Sequence, residues 1–274
     1  MNVKEIIQRD SIKAKKHFGQ NFLVDQNILK KIISLSNPTN QNVIEIGPGL
    51  GSLTEYLLPV SKKLVCYEID DDMINILNER FEGIDNLTVI KQDFMKADIN
   101  KDIDQYFNGE DVILVANLPY YITTAILTKI LTETKKVKRI YVMVQKEVAM
   151  RLAGKPSTKD YNSLSVFIQY YTKVKTLFNV PPKSFIPAPN VDSSVIEIIM
   201  KEERQYVKDE KAFHKFVQAI FSQRRKTIYN NIKNNYHLSK EEIEEKLLSN
   251  NILPNTRAEN LTVEQIVTLA NSFI

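Results

Sequence analysis

Short runs of apolar, largely β-branched residues punctuate the first part of the chain at Asn42–Ile46, Leu64–Glu68, Leu87–Ile90, Val112–Ala116 and Ile140–Val144. They read as continuous apolar runs, so each predicts a strand covered on both faces. Helix-compatible stretches such as Leu50–Leu58 and Asp72–Phe81 lie between most of them. Strands alternating with helices predict a parallel sheet in an α/β fold. After Gln145 a helix is expected over Lys146–Leu152, then a polar loop at Gly154–Asp160 and another helix through about Tyr171. Two more strands, Val174–Val180 and Val191–Ile199, are joined by a segment containing Pro181, Pro182, Pro187 and Pro189 and read as a hairpin-like pair. From about residue 202 the apolar spacing is purely helical, through Phe213, Phe216, Val217, Ile220, Ile228 and Ile232. Two shorter helices are expected at Glu241–Leu248 and Val263–Phe273. The pattern divides the chain into an α/β domain over 1–201 and a small all-helical domain over 202–274.

Composition narrows the class. A chain of 274 residues with 43% hydrophobic and 26% charged residues supplies one sizeable core and a small second domain. No run of about 18 apolar residues is available for a membrane span. The first 30 residues mix charge with apolar character and lack the apolar region of a secretion signal, so a cytoplasmic protein is expected. The single cysteine, Cys66, excludes an intrachain disulfide, and its apolar surroundings predict a buried structural thiol. His17, His214 and His237 are too scattered to form a metal cluster, so no metal is expected. The net charge of +4 is modest, but its distribution is not even. Lys211, Lys215, Arg224, Arg225, Lys226 and Lys233 occur without an intervening acid, followed by Glu241, Glu242, Glu244 and Glu245. Lys13, Lys15 and Lys16 form a second basic group. Such segments suit a polyphosphate backbone, and equally a solvated helix face.

Candidate chemistry begins at Glu45-Ile46-Gly47-Pro48-Gly49-Leu50-Gly51, which follows the first strand and opens a helix. Its glycines do not follow the dinucleotide-binding order, and Pro48 removes an amide that a pyrophosphate would want. The loop therefore suits a ligand without phosphates. Glu68, 21 residues on from Gly47, ends the second strand and can accept from both ribose hydroxyls of an adenosyl group. Asp93 is expected to end the third strand, where a carboxylate can take an adenine amine, and Asn117 to end the fourth. Polar groups at four successive strand ends would line one crevice.

Asn117-Leu118-Pro119-Tyr120 carries the reaction chemistry. An adenine N6 is a poor nucleophile because its lone pair is delocalised into the ring. The Asn117 side-chain carbonyl and the Leu118 main-chain carbonyl can accept its two N–H groups and draw the nitrogen towards tetrahedral geometry. Pro119 stiffens the turn, and Tyr120 offers a face for an extruded base. A sulfonium is already a reactive electrophile, so alignment and desolvation can suffice without a strong base. Phe185 reads either as an opposite aromatic wall or as a core residue. Gln20-Asn21-Phe22-Leu23 reads as a lid over the cofactor or as a plain helix start.

These motifs, with Lys16-His17-Phe18-Gly19-Gln20-Asn21-Phe22-Leu23, Gln145-Lys146-Glu147-Val148, Tyr161-Asn162-Ser163-Leu164-Ser165-Val166, Val191-Asp192-Ser193 and Gln223-Arg224-Arg225-Lys226-Thr227, resemble the KsgA (RsmA) family over about residues 13–270. The resemblance implies a Rossmann-like class I methyltransferase domain with an N-terminal lid segment, followed by a helical RNA-binding domain. It implies transfer of methyl groups from S-adenosylmethionine to two adjacent adenosines near the 3′ end of 16S ribosomal RNA, within the small subunit or its precursor. Each would become N6,N6-dimethyladenosine, with a role in subunit biogenesis. It further implies cofactor binding by Asn21, Leu23, Gly47, Gly49, Glu68, Asp93 and Asn117. Leu118, Pro119, Tyr120 and Phe185 would hold the base, and a basic helix with Arg224, Arg225 and Lys226 would hold the RNA. A monomer is expected. His17 stands where the family commonly has arginine, and Tyr121 where it often has asparagine. Three alternatives remain: an Erm-type enzyme acting on 23S RNA, an assembly-checkpoint binding factor with secondary catalysis, and a DNA adenine methyltransferase.

Overall fold

The computed structural model describes residues 5–7 and 20–274; Lys13, Lys15, Lys16 and His17 lie outside them. The described residues form two compact units, one from those up to 149 together with 175–200, the other from 150–174 and 201–274. Residues 150–174, expected in the α/β domain, thus group with the C-terminal helices.

The first unit is built on a seven-stranded sheet. Its strands are β2 (Asn42–Ile46), β3 (Lys63–Glu68), β4 (Leu87–Lys91), β5 (Val112–Asn117), β6 (Val137–Gln145), β7 (Thr172–Val180) and β9 (Ser193–Met200), in the order β4-β3-β2-β5-β6-β9-β7. β4, β3, β2, β5 and β6 pair in parallel, and β9 pairs antiparallel to β6. β9 and β7 are neighbours, as the hairpin-like reading anticipated. Every residue of β2 is buried, which is why its sequence does not alternate. Val43, Leu64, Cys66, Ile113, Val115, Tyr141 and Met143 share one core cluster.

A two-residue strand β1 (Phe22–Leu23) pairs antiparallel with β8 (Phe185–Ile186), tying the segment before the sheet to the proline-rich connection. Asp25 reinforces this join. It caps the helix α1 (Gln26–Ser36) through Asn27 N–H and accepts from Ser184 Oγ at 3.1 Å. The helix expected over Leu50–Leu58 shrinks to α2 (Thr54–Leu57), because Gly49 (φ +55°) and Gly51 (φ +76°) hold the preceding chain in a turn. The helices α3 (Asp71–Arg80), α4 (Ile99–Phe107) and α5 (Thr123–Glu133) complete the α/β alternation.

The second unit is helical, with α7 (Ser163–Tyr171), α8 (Glu210–Ile220), α9 (Ile228–Asn235), α10 (Lys240–Ser249) and α11 (Val263–Phe273); α6 (Lys146–Leu152) runs across the division between the units. Asn162, within the Tyr161–Val166 motif, forms a capping box with Ser165 at the start of α7. Phe213, Phe216, Ile220, Ile228 and Ile232 are all fully buried, so their helical spacing marks a core face. The basic helix expected at Gln223–Lys226 is instead an exposed turn between α8 and α9. Thr227 caps α9 through Asn230 N–H, and buried Asn231 donates Nδ2 to the carbonyls of Ile220 and Gln223. Carbonyls left over at the end of α8 are therefore satisfied without another helical turn. No helix among the described residues is long and apolar enough to cross a membrane.

Candidate active site

Strand order in the large sheet reverses between β2 and β5, and chain crossing away on both sides leaves a crevice at their carboxyl ends. A cavity of about 240 Å³ opens there. Asn21, Leu23, Gly47, Gly49, Glu68, Asp93, Asn117, Leu118, Pro119 and Tyr120, all expected at the site, line it together.

One wall is the glycine loop. Gly47 N–H continues the ladder past β2 to the Tyr67 carbonyl at 2.9 Å, and the chain then turns with Gly49 in the left-handed region. A Cβ on Gly49 would stand 3.2 Å from the Phe22 ring, so the loop and β1 close on each other here. Glu68, at the end of β3, secures the turn from below. One carboxylate oxygen accepts from Gly49 N–H at 3.0 Å, the other from Ile69 N–H at 2.8 Å and Asp70 N–H at 3.0 Å. Burial pushes this carboxyl up, and the three main-chain donors pull partly against it. Glu68 is thus a bracket for the loop, with lone-pair capacity left for hydroxyl donors. Asp70 beside it accepts from Gln20 Nε2 at 2.8 Å, fixing the segment before β1 over this end of the crevice.

Asp93 falls two residues beyond the end of β4 rather than on it. There it caps a short 3-10 turn, Phe94–Lys96, through Met95 N–H at 2.9 Å, and still lines the cavity. Sequence reasoning missed the apolar neighbours that share the wall: Ile69, Phe94 and Met95. Each follows an expected acidic residue closely, so the strand ends carried the signal. Ser52 was missed as well. Its Oγ is buried without a hydrogen-bond partner in the cavity wall.

The opposite wall is the turn after β5. Asn117 Nδ2 donates to the Asn21 carbonyl at 3.2 Å, which fixes the amide so that Oδ1 is its acceptor end. Leu118 N–H bonds the Met143 carbonyl at 3.3 Å, extending the β5–β6 ladder by one residue. The Pro119 carbonyl is used inside the turn by Ile122 N–H and Thr123 Oγ1. Tyr120 hydrogen-bonds Ser193 Oγ at 2.5 Å. Burial pushes its phenol above the usual range, outweighing that bond, so it stays protonated near neutrality and is not a base. Tyr121 stands at the mouth, 62% exposed.

Behind the loop, Glu45 is buried, accepts from Thr54 Oγ1 at 2.7 Å and approaches Cys66 Sγ at 3.6 Å. Burial raises its pKa to about 7. Cys66 is fully buried and its thiol is pushed up by burial and by Glu45, so it is no nucleophile.

One residue expected as a wall for the base, Phe185, is not among those that line this cavity. Phe185 is 2% exposed and packs in the core with Leu23, Leu29 and Val180. Its register opposite Leu23 in the small sheet turns it inward, so the core reading replaces the aromatic wall. Arg224, Arg225 and Lys226 lie in the helical unit, all exposed, with Arg224 Nε bonded to Glu259 at 2.8 Å. Among the described residues, no group of three or more His, Cys, Asp or Glu is placed to hold a metal ion.

A family model described as ribosomal RNA adenine dimethylase matches residues 11–274. The chain is 46% identical over 275 residues to ribosomal RNA small subunit methyltransferase A of Geobacillus sp. (strain WCH70), covering 98% of this chain and 94% of that protein. It is 45% identical over 277 residues to the protein of the same name from Bacillus licheniformis, covering 99% and 95%. Among solved structures, a dimethyladenosine transferase from Plasmodium falciparum superposes with a TM-score of 0.78 at 27% identity, over 90% of this chain and 95% of its own. The 23S rRNA methyltransferase ErmE shares the fold, with a TM-score of 0.71 at 23% identity over 92% and 99%. The chain therefore belongs to the ribosomal RNA adenine dimethylase family and is a methyltransferase of the class I, S-adenosylmethionine-dependent fold.

Proposed function

We propose that this chain transfers methyl groups from S-adenosylmethionine to N6 of two adjacent adenosines near the 3′ end of 16S ribosomal RNA, making N6,N6-dimethyladenosine during small-subunit biogenesis. The observation that carries the reading is the Asn117 amide, held by Asn21 with its oxygen as acceptor in the cavity that Glu68 and the glycine loop also line. S-adenosylmethionine, when bound, supplies a sulfonium methyl group that needs no metal to activate it. Glu68 would accept from its ribose hydroxyls and Asp93 from its adenine amine, and the loop at Gly47 and Gly49 would give backbone approach. Asn21 and Leu23 close the cavity from the β1 side.

On the substrate side, Asn117 Oδ1 and the Leu118 carbonyl accept the two N6–H groups of an extruded adenine. Both acceptors favour the tetrahedral nitrogen that develops as it attacks, so they stabilise the transition state more than the planar ground state. Tyr120 stacks on the base, an interaction worth about 1–3 kcal/mol. The proton shed after transfer passes to solvent, since the neutral phenol of Tyr120 does not take it up. Arg224, Arg225 and Lys226 contact RNA phosphates. The protein acts in the cytoplasm, as a monomer.

The test is transfer of labelled methyl groups by the purified protein to small-subunit particles, 23S RNA and duplex DNA. Label in dimethyladenosine of the small subunit alone supports the reading. Label in 23S RNA, or macrolide resistance on expression in a sensitive strain, points to an Erm-type enzyme. Label in DNA points to the third alternative. Particle binding that leaves no label points to a checkpoint factor.

A further inference from the structure

Ser193 is fully buried, yet its hydroxyl is bonded to the one aromatic residue of the tetrapeptide after β5. The two chain segments differ in what holds them. Ser193 opens β9 and is paired with Gln145 across the antiparallel ladder to β6. Just before it, the Asp192 carbonyl accepts Lys146 N–H at 3.0 Å, and its carboxylate lies 3.4 Å from Lys146 Nζ. Just after it, Ser194 Oγ donates to Asn179 Oδ1 at 2.8 Å. Tyr120 by contrast sits in the turn between β5 and α5, beyond the last ladder bond at Leu118.

From this we infer that Ser193 is a positioning residue for methyl transfer: its hydroxyl fixes the tip of Tyr120, and through it the plane of the face on which the target base stacks. Ser193 does not line the cavity, so any effect it has on the reaction passes through the Tyr120 ring. A bond at the phenol tip fixes the direction in which the ring axis points, and because a phenol makes its hydrogen bonds near the ring plane it also biases the ring's rotation about that axis. The anchor is rigid because it belongs to the sheet. Without it the base still stacks, but its N6 spends less time aligned with the methyl group, which lowers kcat rather than RNA affinity. The inference rests on the base-stacking reading of Tyr120.

The experiment is a double-mutant cycle of Tyr120→Phe and Ser193→Ala, with Tyr120→Ala alongside, measured on small-subunit particles at saturating S-adenosylmethionine. Each single variant is expected to lose kcat by roughly three- to tenfold, the range of one hydrogen bond. The pair together should lose no more than either alone, with KM for the particles and calorimetric cofactor affinity held. Multiplying losses, or a loss in Ser193→Ala without one in Tyr120→Phe, would overturn the inference, as would no loss in either. If Ser193→Ala lowers the melting temperature, Tyr120→Phe alone decides. Unimpaired transfer by Tyr120→Ala would instead defeat the stacking reading itself, whatever the hydroxyl does.

Discussion

In the proposed mechanism position 117 needs an amide rather than a carboxylate, because its side chain must serve two different partners. Its nitrogen donates to the Asn21 carbonyl, and only then is its oxygen directed as an acceptor. An aspartate would set one carboxylate oxygen against that carbonyl, which is repulsive, and would release the segment before β1. Both Asn117→Asp and Asn117→Ala are expected to lower kcat by about a hundredfold or more, the scale of a lost transition-state contact. Retention of particles in a filter assay should stay near the parent level; rates close to the parent would remove Asn117 from the mechanism. Gly49→Val combines a disfavoured backbone angle with a clash at the Phe22 ring. Calorimetry should find its cofactor binding lost, and unchanged affinity would show that the loop does not hold the cofactor. Glu45 gives a pH signature. Its carboxyl titrates near 7 folded against an ordinary 4.5, so the folded state keeps a proton that the unfolded state releases between these values. Stability is therefore greatest from this group below about 4.5 and declines as pH rises towards 7, by about 3 kcal/mol. Urea unfolding of Glu45→Gln should lack that decline; an identical slope would refute the burial argument.

At the scale of elements, legibility followed burial. The central strands could be placed because a strand covered on both faces reads as an unbroken apolar run, and β2 matches its expected limits. Two-residue strands carry no such period, so β1 and β8 were invisible, and with them the reason Phe185 faces the core. Asp93 was legible as a polar group near the crevice but not as a cap, because nothing in its spacing marks where β4 stops. The break between α8 and α9 was missed since apolar residues on both sides continue a helical period. Thr227, an N-cap residue type, was the available signal. That turn exposes Arg224, Arg225 and Lys226, although Glu259 already occupies one nitrogen of Arg224. Replacing all three with glutamine should weaken RNA binding and reduce its log–log salt slope by about two, given roughly 0.7–0.9 per phosphate contact. An unaltered slope would return the turn to a merely solvated surface.

Over the whole molecule, one topological fact organises the site. The sheet reverses its order between β2 and β5, so the glycine loop after one and the tetrapeptide after the other meet across a single crevice. In the proposed mechanism the cofactor cradle and the grip on the exocyclic amine come from these two neighbouring strand ends. The helical unit adds a basic turn and a core of its own. The most direct measurement is nucleoside mass spectrometry of 16S ribosomal RNA from cells with and without this gene. N6,N6-dimethyladenosine at two adjacent positions near the 3′ end should be present with the gene and replaced by unmodified adenosine without it. The same dimethylated pair in both, or only monomethyladenosine with the gene, would contradict the account.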